Sequence, residues 1–400
     1  MNPSESKDAI GHLEAAELLA RADAAAAAIA PRSAEIERGG RLPEDLSGML
    51  ARDGFYRMLV PRAYGGLEVH PQVFVDAVER IARADGASAW CVMISATAAS
   101  CLAYLPVDTA RAIAATPDLC MAGVFAPRGT AMPEVRDGVE GFRVSGRWPW
   151  GSASPNAHFI TGGCLVLDAA GQPEKLPGGM PAVRSMVFRR DQVTLLDTWE
   201  VSGLEGTGST DYEVQDVFVP LAWSYSYLNP PSVDGQLYAF PRFGMLALGI
   251  AAACVGMAAG AIEELSELAG VKKPDASTKV IAQRPAVQQQ VAEARGLMRS
   301  ARAFIHETIA DAWAAVPTGG ASTEQRMDLR LAASHAVRAA ARAVDLMYGA
   351  GGGTSVYRRS ALQRHFRDVH VATQHMMVSD ATLELVGRLL LGVPTDVTML

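Results

Sequence analysis

The sequence predicts a mainly α-helical protein with a β domain in its middle. Two observations carry that expectation. Residues 8 to about 120 and 240 to 392 are alanine-rich, with apolar residues recurring three and four apart, the period of a helix. Between them glycine and proline become frequent, and short alternating runs are separated by turn residues, the texture of antiparallel strands. The expected domains are 1–120 helical, 121–232 β, and 233–400 a four-helix bundle.

The first helices follow from local signals. Leu13 to Ala30 is rich in alanine, the strongest helix former. Pro43 to Asp53 places Leu46, Met49 and Leu50 on one side, and Tyr64-Gly65-Gly66 is a turn signal. Pro71 to Ala84 spaces Val75, Val78, Ile81 and Ala82 on one face, and Asp85-Gly86 ends it. Two uncharged runs, Trp90 to Val107 and Met245 to Ile262, reach the length of a membrane span. Their Ala, Gly, Ser, Thr and Cys content is poor on a transfer scale, so they are expected to be helices buried among other helices, with no membrane contact.

Strands are expected at Gly141–Gly146, His158–Thr161, Met186–Phe188 and Tyr212–Pro220. Long helices follow at Gln283–Ala314 and Gln325–Met347, joined by the polar link Val316–Ser322. Thr373 to Leu391 is expected to close the chain as a further helix.

With 49% hydrophobic and 20% charged residues, the 400-residue chain can bury a large core. A net charge of −7 offers no basic footprint for nucleic acid. The five cysteines have no CxxC spacing and read as reduced thiols, placing the protein in the cytoplasm. Met1 to Lys7 is polar and lacks the order of a signal peptide.

Three stretches carry candidate chemistry. The first is Arg364 to His375, which holds His365, His370 and His375. Histidine titrates nearest neutrality and invites an acid–base reading. The five-residue spacing turns helical positions roughly 140° apart, which disfavours a metal site. The second is Trp148-Pro149-Trp150-Gly151-Ser152-Ala153-Ser154, a flat aromatic wall beside hydroxyls, as an isoalloxazine ring requires. The third is Gly351-Gly352-Gly353, where backbone could approach a cofactor. Each has a plain structural alternative: ordinary helix histidines, core tryptophans, and a helix-ending loop.

In order along the chain stand Leu59-Val60-Pro61-x-x-Tyr64-Gly65-Gly66, the tryptophan segment, Gly203 to Ser209 before Asp216-Val217-Phe218-Val219-Pro220, the helix opening at 283–304, and Arg367-Asp368. In these the chain resembles the acyl-CoA dehydrogenase superfamily over nearly its whole length. The resemblance implies an N-terminal helical domain, a middle β-barrel and a C-terminal four-helix bundle, assembled as a homotetramer.

Departures from the dehydrogenases bear on function. No carboxylate lies between Asp368 and Asp380, where those enzymes keep a glutamate base, and His375 falls near that position. Phe240 to Ala261, the alternative location of the base, has no carboxylate either. Ser277 stands where an arginine would hold the FAD pyrophosphate, eleven residues before Gln288. The pattern is more similar to the flavin-dependent monooxygenases of the same fold, in Asp85-Gly86-x-x-x-Trp90, in Trp148 to Ser154, and in His375. Ala98 departs from the phenol hydroxylases of that group, which carry a histidine there.

That resemblance implies an oxygenase component. It takes reduced FMN or FAD from a separate reductase, adds dioxygen at the flavin C4a carbon, and passes one oxygen to a small apolar or aromatic substrate. His375 is then the candidate for proton movement and Ser152 for a donor at the flavin edge. Trp148, Trp150, Ser152, Ser154 and Gly351 to Gly353 are candidates for holding the flavin, and Trp90 and His370 for the substrate pocket. Two other readings are an FAD-bound dehydrogenase or oxidase on a non-CoA substrate, and a flavin-binding protein without turnover.

Overall fold

A computed structural model describes residues 3–275, 277–398 and 400, with side chains from Ala15 onward. The N-terminal helices are α1 (Pro3–Ile29), α2 (Ser33–Gly39), α3 (Glu44–Arg52), α4 (Pro71–Ala84), α5 (Gly86–Ala99) and α6 (Val107–Ala114). The strands are β1 (Met121–Arg136), β2 (Val139–Trp148), β3 (Phe159–Val166), β4 (Val183–Arg189), β5 (Thr194–Leu195), β6 (Tyr212–Pro220) and β7 (Ser224–Tyr225). After the short α7 (Gln236–Ala239) come α8 (Arg242–Val271), α9 (Pro285–Ala315), α10 (Thr323–Gly351), α11 (Ala361–Ala372) and α12 (Asp380–Leu390).

The strands form one sheet in the order β5-β6-β2-β1-β3-β4-β7. β1 and β3 run parallel, and the other pairs are antiparallel. The sheet wraps around Trp148, which is fully buried. Its indole stacks on Tyr212 of β6 at 5.3 Å and meets Phe188 of β4 at 5.7 Å. Glycines on β1, β2 and β3 make room for it: a Cβ at Gly129, Gly146 or Gly162 would come within 2.4–2.7 Å of the ring. One indole touching four other strands requires a strongly coiled sheet.

The whole of β1 was absent from the strands expected of the sequence. Gly123, Pro127, Gly129 and Pro133 interrupt its alternation. Register shifts at Val124/Pro127 and Pro127/Gly129 absorb the first proline without ending the strand.

The two apolar runs are core helices. Of the most apolar windows of Gly86–Tyr104 and Arg242–Val271, 83% and 89% lie buried inside the protein. The expected helix from Thr373 to Leu391 is instead a turn followed by α12, because α11 ends at Ala372. There the Thr373 hydroxyl donates to the His370 carbonyl at 2.6 Å. The His375 ring caps the short turn Met376–Val378.

Candidate active site

The site is assembled from three segments far apart in sequence. Asp85 caps α5, its carboxylate accepting both the backbone N–H and the hydroxyl of Ser88 at 2.7 Å. Gly86 lets α5 close on α8, since a Cβ there would lie 2.6 Å from the Met257 sulfur. One turn further along, Trp90 is buried, and its indole N–H donates to Ser152 Oγ at 3.0 Å.

Ser152 lies in the turn that leaves β2. Trp150 and Ala153 on either side of it hold φ of 64° and 63°, left-handed values that side chains rarely adopt. Long-range bonds keep the turn in place: Gly151 N–H to the Thr210 carbonyl at 2.9 Å and Ala153 N–H to the Thr207 carbonyl at 3.0 Å. Such over-determined strain gathers at functional sites.

A directional hydroxyl chain runs behind Ser152. Thr207 O–H donates to the Leu204 carbonyl at 2.7 Å, which uses its single proton. Thr207 Oγ1 must therefore accept from Ser209, and Ser209 Oγ from Ser152, each at 2.6 Å. With its proton spent inward and the Trp90 N–H accepted, Ser152 has one lone pair left. It can offer the cavity an acceptor and no donor, the reverse of the polarity expected from the sequence.

The 202–209 loop is stapled to α11 by Arg367 and Asp368. Arg367 donates to the Ser202 carbonyl at 3.2 Å, pairs with Glu205 at 3.0 Å, and also pairs with Glu37. Asp368 accepts the Leu204 N–H at 2.6 Å. Burial, with Asp85 adding to it, pushes the Asp368 carboxyl up to about 7.

The three histidines separate. His365 is buried in the bundle beside Gly260, and burial holds its imidazole down at about 4. His370 faces outward, its Nε2 lying 3.3 Å from Asp345 and its ring against Phe366. His375 meets Trp90 edge to face with ring centroids 5.8 Å apart. Its Nδ1 accepts the Met377 N–H at 3.2 Å, which leaves the proton on Nε2. Burial, assisted by Arg330, pushes this imidazole down to about 4, so near pH 7 it is a neutral hydrogen-bond donor and not a titrating acid.

Trp90, Ser152 and His375 border one cavity of about 460 Å³, with Trp150 and Pro149 on its rim side. Trp150 is 66% exposed and presents a free aromatic face. Met93, Ile94, Phe243, Leu246 and Ile250 make much of the apolar wall. Ala98 also borders the cavity, so the departure from the phenol hydroxylases lies in the wall itself.

Other residues proposed from the sequence lie elsewhere in the chain. Trp148 belongs to the sheet core, its N–H on the Gly163 carbonyl at 2.8 Å. Ser154 is buried behind the turn, its hydroxyl unpartnered among the described residues. Gly351 to Gly353 close α10, with Gly352 at φ 55° and the Gly351 carbonyl accepting from Lys272. They and His370 do not border this cavity. Sequence reasoning missed Ser209 and Arg242 as site residues. Ser209 lay within a quoted motif, and Arg242 stands just ahead of the Met245–Ile262 run.

The family models for the acyl-CoA dehydrogenase N-terminal and C-terminal domains match residues 14–108 and 248–380. Indole-3-acetate monooxygenase of Pseudomonas putida is 33% identical over 90% of both chains. The FADH2-dependent resorcinol hydroxylase oxygenase component of a Rhizobium species is 27% identical over 90% of both. The crystal structure of the 3-HSA hydroxylase from Rhodococcus sp. RHA1 superposes with a TM-score of 0.85 at 27% identity, covering 96% of this chain and 99% of that one.

The chain belongs to the acyl-CoA dehydrogenase superfamily. Within that superfamily it is a flavin-dependent monooxygenase, the oxygenase component that works with reduced flavin and a separate flavin reductase.

Proposed function

We propose that this oxygenase hydroxylates a small planar aromatic substrate held against Trp90 and His375, with the reduced flavin seated on the Trp150–Ser152 side of the same cavity. The observation that carries the reading is Trp90, bonded to Ser152 at one edge and packed against His375 at the other. Two relatives are named for aromatic substrates, an indole and a single-ring phenol. Ala98 offers no base to a phenol, which favours the indole type.

The residues fit a reduced flavin. A free indole face, an acceptor hydroxyl and a cavity border without a carboxylate suit an electron-rich ring that carries an N–H. When bound, that cofactor supplies the electrons and activates dioxygen. Overall, RH, dioxygen and reduced flavin give ROH, water and oxidised flavin.

The chain's own residues do the rest. Trp150 gives the ring a surface, and Ser152 Oγ accepts from the reduced ring. His375 Nε2–H donates to oxygen as it is transferred. The apolar wall excludes water from the reacting atoms. Ser277, bonded to Lys279 of its own loop, lacks the charge to grip a pyrophosphate, so the adenosine half of FAD is held weakly.

The protein is further proposed to be a cytoplasmic homotetramer. The Met245–Ile262 run does not support assembly, being covered within the chain. Val271, Leu390 and Leu391, exposed at 76%, 67% and 82%, are among the apolar side chains left for contacts between copies. Light scattering at micromolar concentration checks it, and a monomeric mass would refute it.

The test of the activity uses the full chain with chemically reduced FMN, isotopically labelled dioxygen and indole as probe. Label in a hydroxylated product is expected. Flavin oxidation that yields only hydrogen peroxide across indole and its alkyl derivatives would overturn the substrate assignment.

A further inference from the structure

We propose that Arg242 is the docking group for a carboxylate on the substrate, so that the cavity selects aromatic carboxylic acids over their uncharged analogues. This rests on the oxygenase reading of the same cavity.

The charge of the cavity points there first. Among the described residues that border it there is no Asp or Glu, and the charged ones are Arg128 and Arg242. The chain as a whole carries −7, so a cavity bordered only by cations does not follow from overall composition. Arg128 is exposed and would add little to affinity, whereas Arg242 is half-buried.

The surroundings of Arg242 point the same way. Its guanidinium carbon lies 3.5 Å from the Tyr227 ring centroid and 4.2 Å from that of Tyr104. The two rings fix the planar fork and keep water from its faces. Among the described residues no carboxylate pairs with it. Among the described residues the Tyr104 oxygen is the acceptor set beside its N–H groups. A guanidinium carries five N–H donors, so several remain for a ligand.

The two phenols hold the cage in place. Tyr104 O–H donates to the Tyr238 carbonyl at 3.2 Å, and Tyr227 O–H to the Tyr225 hydroxyl at 3.4 Å. Arg242 opens α8, whose first turn contains no acidic residue, so the positive end of a 30-residue helix adds to its field.

A partly desolvated cation without an anion is a cost that a bound carboxylate would offset. The planar fork matches a carboxylate bidentately. The apolar wall takes an aromatic ring, and the caged arginine takes an acid on a short arm. The sequence implied an apolar pocket, and to that lining the fold adds one directional charge.

The experiment measures binding of indole-3-acetate and of indole-3-acetamide to the full-length protein by calorimetry. The amide keeps ring and shape and removes the charge. Wild type should bind the acid about 10- to 100-fold more tightly, the range for a charge-assisted pair. Arg242→Met should reduce that ratio to near one, chiefly by weakening the acid, and Arg242→Lys should restore part of it. The inference is overturned if wild type binds acid and amide alike, a comparison that needs no variant. It is also overturned if Arg242→Met weakens both ligands equally, or if it weakens reduced FMN and leaves the acid-to-amide ratio unchanged, which would assign Arg242 to the flavin phosphate. The oxygenase reading fails separately, on the labelled-dioxygen measurement, and binding selectivity does not depend on that result.

Discussion

The Trp90 indole and the His375 imidazole meet edge to face, 5.8 Å between centroids and inclined at 62°. The contact joins α5 to the turn after α11, and the Trp90 N–H ties both to the strained turn beyond β2. One side chain thus sets the positions of the two others to which the proposal gives chemical roles, and the consequences can be measured.

His375→Ala should reduce product formed per flavin oxidised by about 10²-fold, the scale for removing one oriented donor at a reacting oxygen. Reduced-flavin affinity should change little. Because burial keeps the imidazole near 4, product yield should stay flat between about pH 6 and 8. A step near pH 6.5 that disappears in the variant would show that His375 works as an imidazolium acid.

Ser209→Ala removes the group that accepts the Ser152 proton. Ser152 could then turn that proton toward the cavity and become a donor. Wild type should favour reduced over oxidised FMN, and the variant should lose about fivefold of that preference, the worth of one hydrogen bond of about 1 kcal/mol. Anaerobic titrations in both redox states would show it. An unchanged ratio would mean that Ser152 does not meet the flavin.

Trp90→Phe keeps an aromatic edge for His375 and deletes the N–H on Ser152. Loss of about 1–2 kcal/mol is expected, since a buried hydroxyl loses a donor. The melting midpoint should fall by a few degrees, and oxygen transfer should drop with it. A variant as coupled as wild type would show that the indole N–H is only structural.

Asp368→Asn tests the staple through pH. The folded carboxyl is held at about 7, above the usual ~3.9. Between those values the folded protein keeps a proton that the unfolded chain has lost, so this group's contribution falls as pH rises and is gone above about 7. His365 and His375, held near 4, act oppositely: their contribution is complete above about 6.5 and is lost on acidification toward 4. Asparagine can still accept the Leu204 N–H and has no charge to bury. The variant's melting midpoint should therefore gain on wild type from about pH 4 to 7 and then level off. A gap independent of pH would show that the carboxyl is not protonated in the folded state.

The order of helices, strands and helices was legible because period and turn chemistry are local. The Asp85-Gly86-x-x-x-Trp90 motif was legible for the same reason: a cap, a close approach and a side chain one turn on are properties of a single helix start. The superfamily, the reduced flavin and four of the residues that border the cavity, Trp90, Trp150, Ser152 and His375, could be named from such segments. Position relative to the rest of the chain could not. Trp148 and Trp150 read alike in sequence, but the sheet buries the first and the left-handed turn exposes the second. The three histidines read as one cluster, but the turn of α11 puts His365 in the core and His370 toward the surface, and only the end of α11 at Ala372 brings His375 to the cavity. The direction of the Ser152 hydroxyl depends on Ser209 and Thr207, carried by a distant loop that Arg367 and Asp368 hold in place. The cage around Arg242 needs Tyr104 and Tyr227 from separate segments. By itself the sequence determined which local structures form and which chemistry is on offer. Only the packing of distant segments decided which side chains share a cavity and which way their protons point, because burial and hydrogen-bond direction are set by neighbours that periodicity does not identify.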